Sequence, residues 1–455
     1  MLETTPMGHV QLAPPDAEAA GKALRARVPR TAHGKLPHHH RDPIGILMQA
    51  DANRLPELVP IRYGRMMQSP FAFFRGSAGV MAADLAHTPA TGLMVQVCGD
   101  CHLKNFGGFA TPERNIVFDI NDFDETLHGA WEWDIKRLVA SFVLAVRENG
   151  LSEDAGREAA LACARSYRKA MRAFAKTDPL GIWYTKLYAA DLVKTLPLKI
   201  RARAQRRLEK ATTRRGSDID YPKLAEVVHG ELRIRDNPPL IYHPDIARAP
   251  KFKDNALEIL NAYRESLPDD RRVLFDRYRF VDAAIKVVGV GSVGTRCWIA
   301  LFMTAANEPL FLQVKQANAS VLEPYAEKSI YPHHGQRVVM GQKLTQAASD
   351  IFLGWTTGPN GEFYVRQLRD AKISALVETF DIEMFVIYAE ACGLNLARAH
   401  AKTGDAWRIS GYIGKSVAFD EALADFAKAY ADLTERDHAA LKAAATSGKI
   451  DAYVE

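Results

Sequence analysis

The feature that most constrains the fold is an apolar run interrupted by glycines, "AAIKVVGVGSVGTRCWIALFM", at residues 283–303. Gly289, Gly291 and Gly294 form the pattern G-x-G-x-x-G directly after a predicted strand. A dinucleotide-binding fold requires a helix at the third glycine, because the N-terminus of that helix binds the pyrophosphate. The residues after Gly294 are aromatic and branched, which favours a strand. The sequence therefore predicts strand, glycine turn and strand, and argues against a dinucleotide-binding fold.

A further predicted strand, "PLFLQVKQA", carries a lysine near its end. Strand alternation places Gln313 and Lys315 on the same face. In protein kinases a glycine-rich turn between two strands covers the nucleotide phosphates, and a lysine on the third strand contacts them. Lys315 is therefore a candidate phosphate ligand, and the alternative is an ordinary solvated lysine. A helix predicted near "SVLEPYAEKS" would supply Glu323 as its partner in nucleotide binding, with Glu327 as the competitor.

A chain of 455 residues, 47% hydrophobic and 25% charged, is typical of a soluble globular protein with a few domains or one large two-lobed unit. Five cysteines are too few for a disulfide framework. No apolar run resembles a signal peptide or a membrane span. We therefore expect a cytoplasmic protein without a membrane segment.

The formal net charge of +5 is mild, and basic residues are concentrated at 199–216, which holds eight Lys or Arg residues and one Glu. This segment lacks the interleaved aromatic residues of a single-strand binder. A solvated helix face is therefore favoured over a nucleic-acid site. Arg65 and Arg75 lie near the start of the globular part. They could bind an anionic substrate or pair with carboxylates, and the sequence leaves both open.

The loop "VCGDCHLKN" contains Cys98, Cys101 and His102 in the order C-x-x-C-H. That order is the attachment signature of a c-type haem, and it includes the C-x-x-C of thiol redox and zinc sites. Haem attachment would require export, and no downstream motif completes a zinc site. Gly107 and Gly108 would break the helix of a thiol redox site. The simplest interpretation is that both cysteines are small buried residues.

The same loop places Asp100 five residues before Asn105, which is the spacing of the kinase catalytic loop. There the aspartate positions the attacking hydroxyl group and the asparagine binds magnesium. Downstream, "INDFDE" provides Asp122 followed by Phe, like the D-F of the magnesium-binding D-F-G motif. Asp119 and Asp124 are alternative ligands. One or two carboxylates suffice for Mg²⁺ that is bound together with phosphates.

These motifs resemble those of aminoglycoside phosphotransferases and choline kinases, which have the protein-kinase-like fold. "GDCHLKN" followed by "NDFDE" is similar to their G-D-x-H-x-x-N and I-D-F motifs, although Cys98 replaces a histidine. "EWDIKRLVAS" resembles the helix whose aspartate, here Asp134, supports the catalytic loop. Over residues 40–440, runs such as "SPFAFFRG", "CGDCHLKNFG" and "QAASDIFLGW" resemble the bacterial domain-of-unknown-function family 2252, whose name implies no activity.

The resemblance implies an α+β, protein-kinase-like fold with a large, mainly helical lobe and a small antiparallel-sheet lobe. In kinases the glycine loop precedes the catalytic loop, whereas here Asp100 lies far upstream of Gly289, so the fold would be circularly permuted. The expected parts are an N-terminal arm at 1–40, poorly ordered or wrapped over the surface, a helical lobe at 41–279 with the catalytic-type loop at 98–125, a small lobe at 280–372, and C-terminal helices at 373–455 that complete the large lobe.

The expected function is ATP- and Mg²⁺-dependent phosphotransfer to an unidentified small metabolite or antibiotic-like acceptor. Asp100 would orient or deprotonate the acceptor, and Asn105 and Asp122 would hold Mg²⁺. Lys315 and the glycine turn at 289–294 would bind the phosphates. Nucleotidyl transfer at the same site is one alternative. A kinase-like module that binds a nucleotide without turnover is another.

Overall fold

The structure, a computed structural model, describes residues 3–4, 10–37, 39–213, 221, 223–228, 231–245, 252–287, 289, 291, 293–368 and 372–453. These residues form a mixed fold in which helices predominate and paired strands run antiparallel. The predicted α+β class is confirmed. Within the described ranges, every helix is too short or too polar to traverse a lipid bilayer.

The N-terminal segment lies on the surface of a C-terminal helix at 406–413. It contains β1 (Glu3–Thr4), β2 (Val10–Gln11) and α1 (Pro14–Ala23). The packing is close, since a β-carbon on Gly21 would lie 2.0 Å from the carbonyl oxygen of Arg408. α1, which falls within the arm expected at 1–40, is thus packed against this helix. Residues 1–2, 5–9 and 38 lie outside the described residues.

Short helices and strands then lead into the large lobe. They are α2 (Pro43–Asp51), α3 (Val59–Met66), α4 (Pro70–Gly76), α5 (Ala78–Ala86), β3 (Met94–Val97), β4 (Phe106–Ala110), β5 (Ile116–Ile120) and β6 (Leu127–Ala130). β3 pairs with β6 and β4 pairs with β5. The amide of Asn121 donates to the carbonyl oxygen of Asn105 at 2.8 Å, which holds the loop after β5 beside the loop after β3. These two loops carry the predicted catalytic and metal-binding residues.

Longer helices form the centre of the large lobe. They are α6 (Trp131–Glu148), α7 (Glu153–Phe174), α8 (Pro179–Tyr184), α9 (Ala189–Thr195) and α10 (Leu198–Thr213). Residues 131–146 of α6 are all buried, so this helix runs through the core. Ser152 caps α7 by accepting a hydrogen bond from the amide of Ala155 at 3.2 Å. The basic segment lies on α10 up to residue 213, and residues 214–216 lie outside the described residues.

A six-stranded antiparallel sheet, with strand order β13-β14-β12-β11-β10-β9, lies in the region predicted to be the small lobe. The elements of this region are β7 (Ala225–Val228), β8 (Glu231–Ile234), β9 (Ile241–Tyr242), α11 (Phe252–Glu265), α12 (Asp269–Phe275), β10 (Arg279–Lys286), β11 (Cys297–Met303), β12 (Pro309–Ala317), α13 (His334–Thr345), β13 (Gly354–Gly358) and β14 (Gly361–Gln367). The strands β10, β11 and β12 confirm the strands predicted around the glycine turn. One face of the sheet packs against α11 and α12 through Leu260, Phe275 and Leu312. Lys315 lies on the other face.

The segment "SVLEPYAEKS" contains turns and no helix, so the helix predicted there is wrong. The amide of Val321 donates to the carboxylate of Glu125 at 2.7 Å, and the amide of Leu322 donates to the hydroxyl of Ser320 at 3.2 Å. Such side-chain acceptors compete with helical hydrogen bonds for the backbone. The first helix described after β12 is α13, which contains no acidic residue.

The chain returns to the large lobe after the small-lobe sheet. The remaining elements are β15 (Ile373–Ser374), α14 (Ile382–Thr403), α15 (Ala406–Ile413) and α16 (Ala418–Thr446). β15 pairs with β4, and both α14 and α16 pack against α6 and α7. Helices on both sides of the six-stranded sheet in the sequence therefore pack together.

Candidate functional site

A cavity lies between the glycine turn, β12 and the two loops of the large lobe. It brings together residues predicted to be catalytic, metal-binding or phosphate-binding: Asp100, Asn105, Asp122, Gly289, Gly291 and Lys315. Gly294 does not line this cavity but packs against Arg54, with a φ of 88° that glycine adopts without strain. The sequence thus identified residues from distant segments that meet at one site.

Asp134, at the start of α6, holds the loop that carries Asp100. The carboxylate of Asp134 accepts hydrogen bonds from the amides of Cys98 at 2.8 Å and Gly99 at 3.0 Å. Gly99 has a φ of 83°, and a β-carbon there would lie 2.2 Å from the carbonyl oxygen of Glu125. Only glycine fits this turn. Asp134 therefore makes the supporting contact that the resemblance implied.

Asp100 is fixed by its own loop and by α6. Nε of Arg137 donates to Oδ1 of Asp100 at 2.7 Å, and Nδ2 of Asn105 donates to the carbonyl oxygen of Asp100 at 2.8 Å. Burial raises the pKa of Asp100, and the charge of Arg137 opposes that shift. Sequence analysis missed Arg137. Its position three residues after Asp134, on the same helix face, was the available signal.

Two neighbouring carboxylates follow β5 at the cavity. Asp124 is the ionic partner of Lys315 and accepts a hydrogen bond from the hydroxyl of Tyr364 at 2.8 Å. Burial opposes ionisation of Asp124, but these contacts lower its pKa, whereas burial and the charge of Asp124 raise the pKa of Asp122. Asp122 lines the cavity with Asn105 and forms no ion pair with any described residue. Oxygen ligands of this kind suit Mg²⁺, so Asp122 and Asn105 are the residues best placed to hold it.

Asp119, an alternative metal ligand in the sequence, is turned into the core. Its Oδ1 accepts a hydrogen bond from Arg398 at 2.8 Å, and its Oδ2 accepts one from the amide of Ala347 at 2.7 Å. The side chains of Asp119 and Arg398 are both 0% exposed. Asp119 is therefore a structural residue of the large lobe and lies outside the cavity.

The predicted partner of Lys315, Glu323, is not the residue with which it pairs. The register of β12 directs Lys315 and Gln313 toward the cavity, where the ammonium group meets Asp124. Glu323 lies in the turn segment outside the cavity lining, and Glu327 is exposed. Burial alone would lower the pKa of Lys315, but the charges of Asp124, Tyr364 and Asp122 together outweigh burial and raise it. Lys315 is therefore protonated in the cavity.

Arginines also line the cavity: Arg54, Arg62, Arg75 and Arg366. Arg54 ties the glycine turn to the large lobe, because its guanidinium donates to the carbonyl oxygens of Gly291 at 3.0 Å and Val293 at 2.5 Å. The amide of the next residue, Leu55, donates to the carbonyl oxygen of Gly294 at 2.7 Å. The turn is thus held against the segment between α2 and α3. No motif marked Arg54 in the sequence, because its role depends on how the lobes pack.

The two cysteines of the C-x-x-C-H motif point into the core. Cys98 is 2% exposed and Cys101 0% exposed, and neither lines the cavity. Burial raises the pKa of both thiols, that of Cys101 to about 12, so they stay protonated. Their sulfur atoms and a carboxylate oxygen of Asp134 all lie within 4.8 Å of one another, but that carboxylate already accepts backbone hydrogen bonds. This arrangement agrees with the interpretation of the cysteines as small buried residues.

Glu125 also lines the cavity, and its pKa gives a test of the electrostatics of the cavity. Burial raises its pKa from 4.5 to about 7. The folded protein therefore holds this proton more strongly than the unfolded chain, and stability falls as the pH rises from 4.5 to about 7. We expect Glu125→Gln to be more stable than the wild type at pH 8 by about 2 kcal/mol, allowing for partial exposure.

Urea unfolding at several pH values measures this effect. The glutamine oxygen can still accept the hydrogen bond from the amide of Val321, so the turn segment keeps its anchor. Near pH 4 the two proteins should have similar free energies of unfolding. Parallel stability curves from pH 4 to 8 would contradict a raised pKa for Glu125.

The chain matches a family profile described as an uncharacterized protein conserved in bacteria (DUF2252) over residues 54–444. Because the match covers most of the chain and includes every residue of the cavity described above except those of α2, the protein belongs to this family. No curated protein and no solved structure matches the chain. The family description carries no activity, so a functional argument depends on the chemistry of the cavity.

Proposed function

We propose that this protein is an ATP- and Mg²⁺-dependent phosphotransferase, with the lobes of a kinase-like fold in circularly permuted order. The observation that carries the proposal is the shared cavity of Asp100, Asp122 and Lys315 beneath a glycine turn. In kinases the corresponding groups surround the nucleotide phosphates and the attacking hydroxyl. Each of the three residues comes from a different segment of the chain, and each has the chemistry that its position requires.

The order of the elements supports a permutation. In kinases the glycine turn and the lysine strand precede the catalytic loop, whereas here β10, β11 and β12 follow it. Helices α6 and α7 before the small lobe pack with α14 and α16 after it. The small lobe would then be an insertion between two parts of one helical lobe. Rearrangements of this kind are tolerated where the joints between segments lie at the surface.

The small lobe would bind the phosphates of the nucleotide. Gly289 and Gly291 line the cavity, so the backbone of the turn can approach a phosphate closely. Lys315 supplies a protonated ammonium group to the same cavity. Asp122 and Asn105 would hold Mg²⁺, which neutralises charge on the phosphates when it is bound.

Asp100 would act on the acceptor. The acceptor oxygen attacks the γ-phosphorus, the bond from that phosphorus to the ADP oxygen breaks, and ADP leaves. The acceptor hydroxyl gives its proton to the carboxylate of Asp100, whose pKa is raised by burial and therefore suits a proton acceptor. Arg137 holds that carboxylate in place through its contact at 2.7 Å.

One departure from kinases concerns the partner of the lysine. Kinases pair it with a glutamate on the helix that follows, but α13 has no acidic residue and instead contributes Arg337. Arg337 donates to the carbonyl oxygens of Asp124 at 2.8 Å and Thr126 at 2.6 Å, which fixes the segment that carries Asp124. Asp124 would therefore pair with the lysine in place of the glutamate of kinases. A bound nucleotide would share the ammonium group of Lys315 with Asp124.

Nucleotide binding can be measured by thermal or chemical unfolding with Mg²⁺ and the nonhydrolysable analogue AMP-PNP. At one hundred times its dissociation constant, the complex should be more stable than the free protein by about 2.7 kcal/mol. Asp122→Asn should lose most of the Mg²⁺-dependent part of this gain, because it removes the carboxylate that faces the cavity. Asp154→Asn, an exposed carboxylate in the first turn of α7, is the matched control.

The products made from ATP separate the remaining alternatives. ADP formation supports phosphotransfer, and pyrophosphate release supports nucleotidyl transfer. Stabilisation by Mg²⁺ and AMP-PNP without either product would support a nucleotide-binding module. The proposal fails if Mg²⁺ and AMP-PNP leave the stability of the wild type unchanged.

A further inference from the structure

Arg75, at the end of α4, carries a charge that is not paired with a carboxylate of any described residue. It lines the cavity together with Asp100 and His102. Its Nε is buried and has no hydrogen-bond partner among the described residues. Within that part of the chain, its guanidinium forms no ion pair with a carboxylate, although Asp100 and Glu148 are close enough to act on its charge. A partly buried cation without a partner is costly, and a bound anion would remove that cost.

Two further guanidinium groups increase the positive charge beside Arg75. Arg54 and Arg62 share one carboxylate, that of Asp51, at 3.4 Å and 2.9 Å. Both line the same cavity, and the Nε of Arg62 is buried without a hydrogen-bond partner among the described residues. Arg54 and Arg62 thus share a single ion-pair partner, and Arg75 has none among the described residues, although the charges of Asp100 and Glu148 act on it. Asp100 does not restore the balance, because its charge is taken by Arg137.

Arg75 lies on a different element from Lys315 and Asp122, the side chains that would hold the nucleotide, whereas Arg54 contacts the glycine turn. Lys315 projects from the small lobe and Asp122 follows β5, whereas Arg75 comes from α4 and acts on the charge of Asp100. The acceptor hydroxyl must lie beside Asp100 for the proton transfer described above. An anionic group on the acceptor would therefore be within reach of Arg75.

The other residues that line the cavity on the side of Arg75 are small or apolar. It is formed by Ile46, Leu47 and Ala50 of α2 and by Gly76, Ala78 and Gly79 around the start of α5. Such a surface suits a short carbon skeleton and offers no carboxylate to a cationic group. Choline and aminoglycosides are cations, and they would meet the arginines in a poorly solvated cavity.

We propose that the acceptor is an anionic hydroxyl compound whose carboxylate or phosphate group binds to Arg75, with Arg54 and Arg62 adding positive potential. This inference rests on the proposed phosphotransfer, and it narrows the acceptor from any small molecule to an anionic one. The sequence left two roles open for Arg75, and this inference assigns to it the binding of an anionic substrate.

The test uses the full chain saturated with Mg²⁺ and AMP-PNP, at constant ionic strength, and measures binding of small probes by calorimetry. Inorganic phosphate and acetate represent the two possible anionic groups, and tetramethylammonium represents a cationic acceptor. We expect at least one anion to bind to the nucleotide complex and tetramethylammonium not to bind. Arg75→Gln should raise the dissociation constant of that anion at least tenfold, whereas Arg75→Lys, which keeps the charge, should raise it less.

Arg206→Gln, which removes an exposed arginine of α10, is the matched control and should bind the anion as the wild type does. The inference is overturned if neither anion binds, if Arg75→Gln binds the anion unchanged, or if the anion and AMP-PNP exclude each other. The last result would mean that Arg75 serves the γ-phosphate. If AMP-PNP does not bind at all, the proposed function fails, and the acceptor role fails with it, whether or not the anion binds.

Discussion

Asp100→Asn should lower the rate of Mg²⁺-dependent ADP formation by about 10²- to 10⁴-fold, the usual effect of removing a general base. Asparagine keeps the size of the side chain but cannot accept the proton of the acceptor hydroxyl. The backbone carbonyl oxygen of residue 100 still accepts from Asn105, so the loop should keep its shape. The measurement is ADP release from ATP, with water as the acceptor until a better one is known.

The affinity of Asp100→Asn for AMP-PNP distinguishes a loss of catalysis from a loss of the folded site. Asp100 faces the acceptor side, so the dissociation constant of the nucleotide should change by less than about threefold, well under the 1.4 kcal/mol that a tenfold change represents. Asp154→Asn should leave the rate unchanged. An unaltered rate of ADP formation in Asp100→Asn would remove Asp100 from the mechanism.

Lys315→Met should destabilise the folded protein by about 3 kcal/mol, since it leaves one member of a buried ion pair without its partner. Lys315 is 4% exposed and Asp124 is 26% exposed, so water can relieve only part of the cost. Tyr364 would remain as the hydrogen-bond donor to Asp124. Urea unfolding measures the effect, and the same variant should lose the affinity for Mg²⁺ and AMP-PNP that the ammonium group provides.

A second substitution tests whether the pair causes the destabilisation. In Lys315→Met with Asp124→Asn the uncompensated charge is gone, so stability should recover by roughly half of the loss. Nucleotide affinity should not recover, because the phosphate ligand is still missing. If the double variant were as unstable as Lys315→Met alone, the loss would come from packing around β12 and not from charge.

The parts of the site that the sequence predicted were those with local patterns. Strand alternation placed Lys315 on the same face as Gln313, and both line the cavity, as do Asp100 and Asn105 of one loop. The turn at Gly289 could also be predicted, because aromatic and branched residues after it favour a strand over a helix. In each case the signal lies within about ten residues of the group concerned.

The parts that the sequence did not predict depend on packing between lobes. The partner of Lys315 is Asp124, far away in the sequence, and no periodic pattern connects them. Glu323 looked like a partner only while a helix was expected around it, and backbone amides bound by Glu125 and Ser320 replaced that helix. Arg75 was noticed in the sequence but could not be assigned, because whether a cation is paired depends on every element around it.

The hydrogen bonds between Arg54 and the glycine turn have a consequence for the turnover number of the proposed enzyme. They join the turn to the segment between α2 and α3, so the turn cannot lift unless two guanidinium contacts and one backbone contact break together. A nucleotide beneath the turn would be enclosed until that happens. Departure of ADP, and not transfer of the phosphoryl group, would then set the turnover number, as in many enzymes whose closed site must reopen in each cycle.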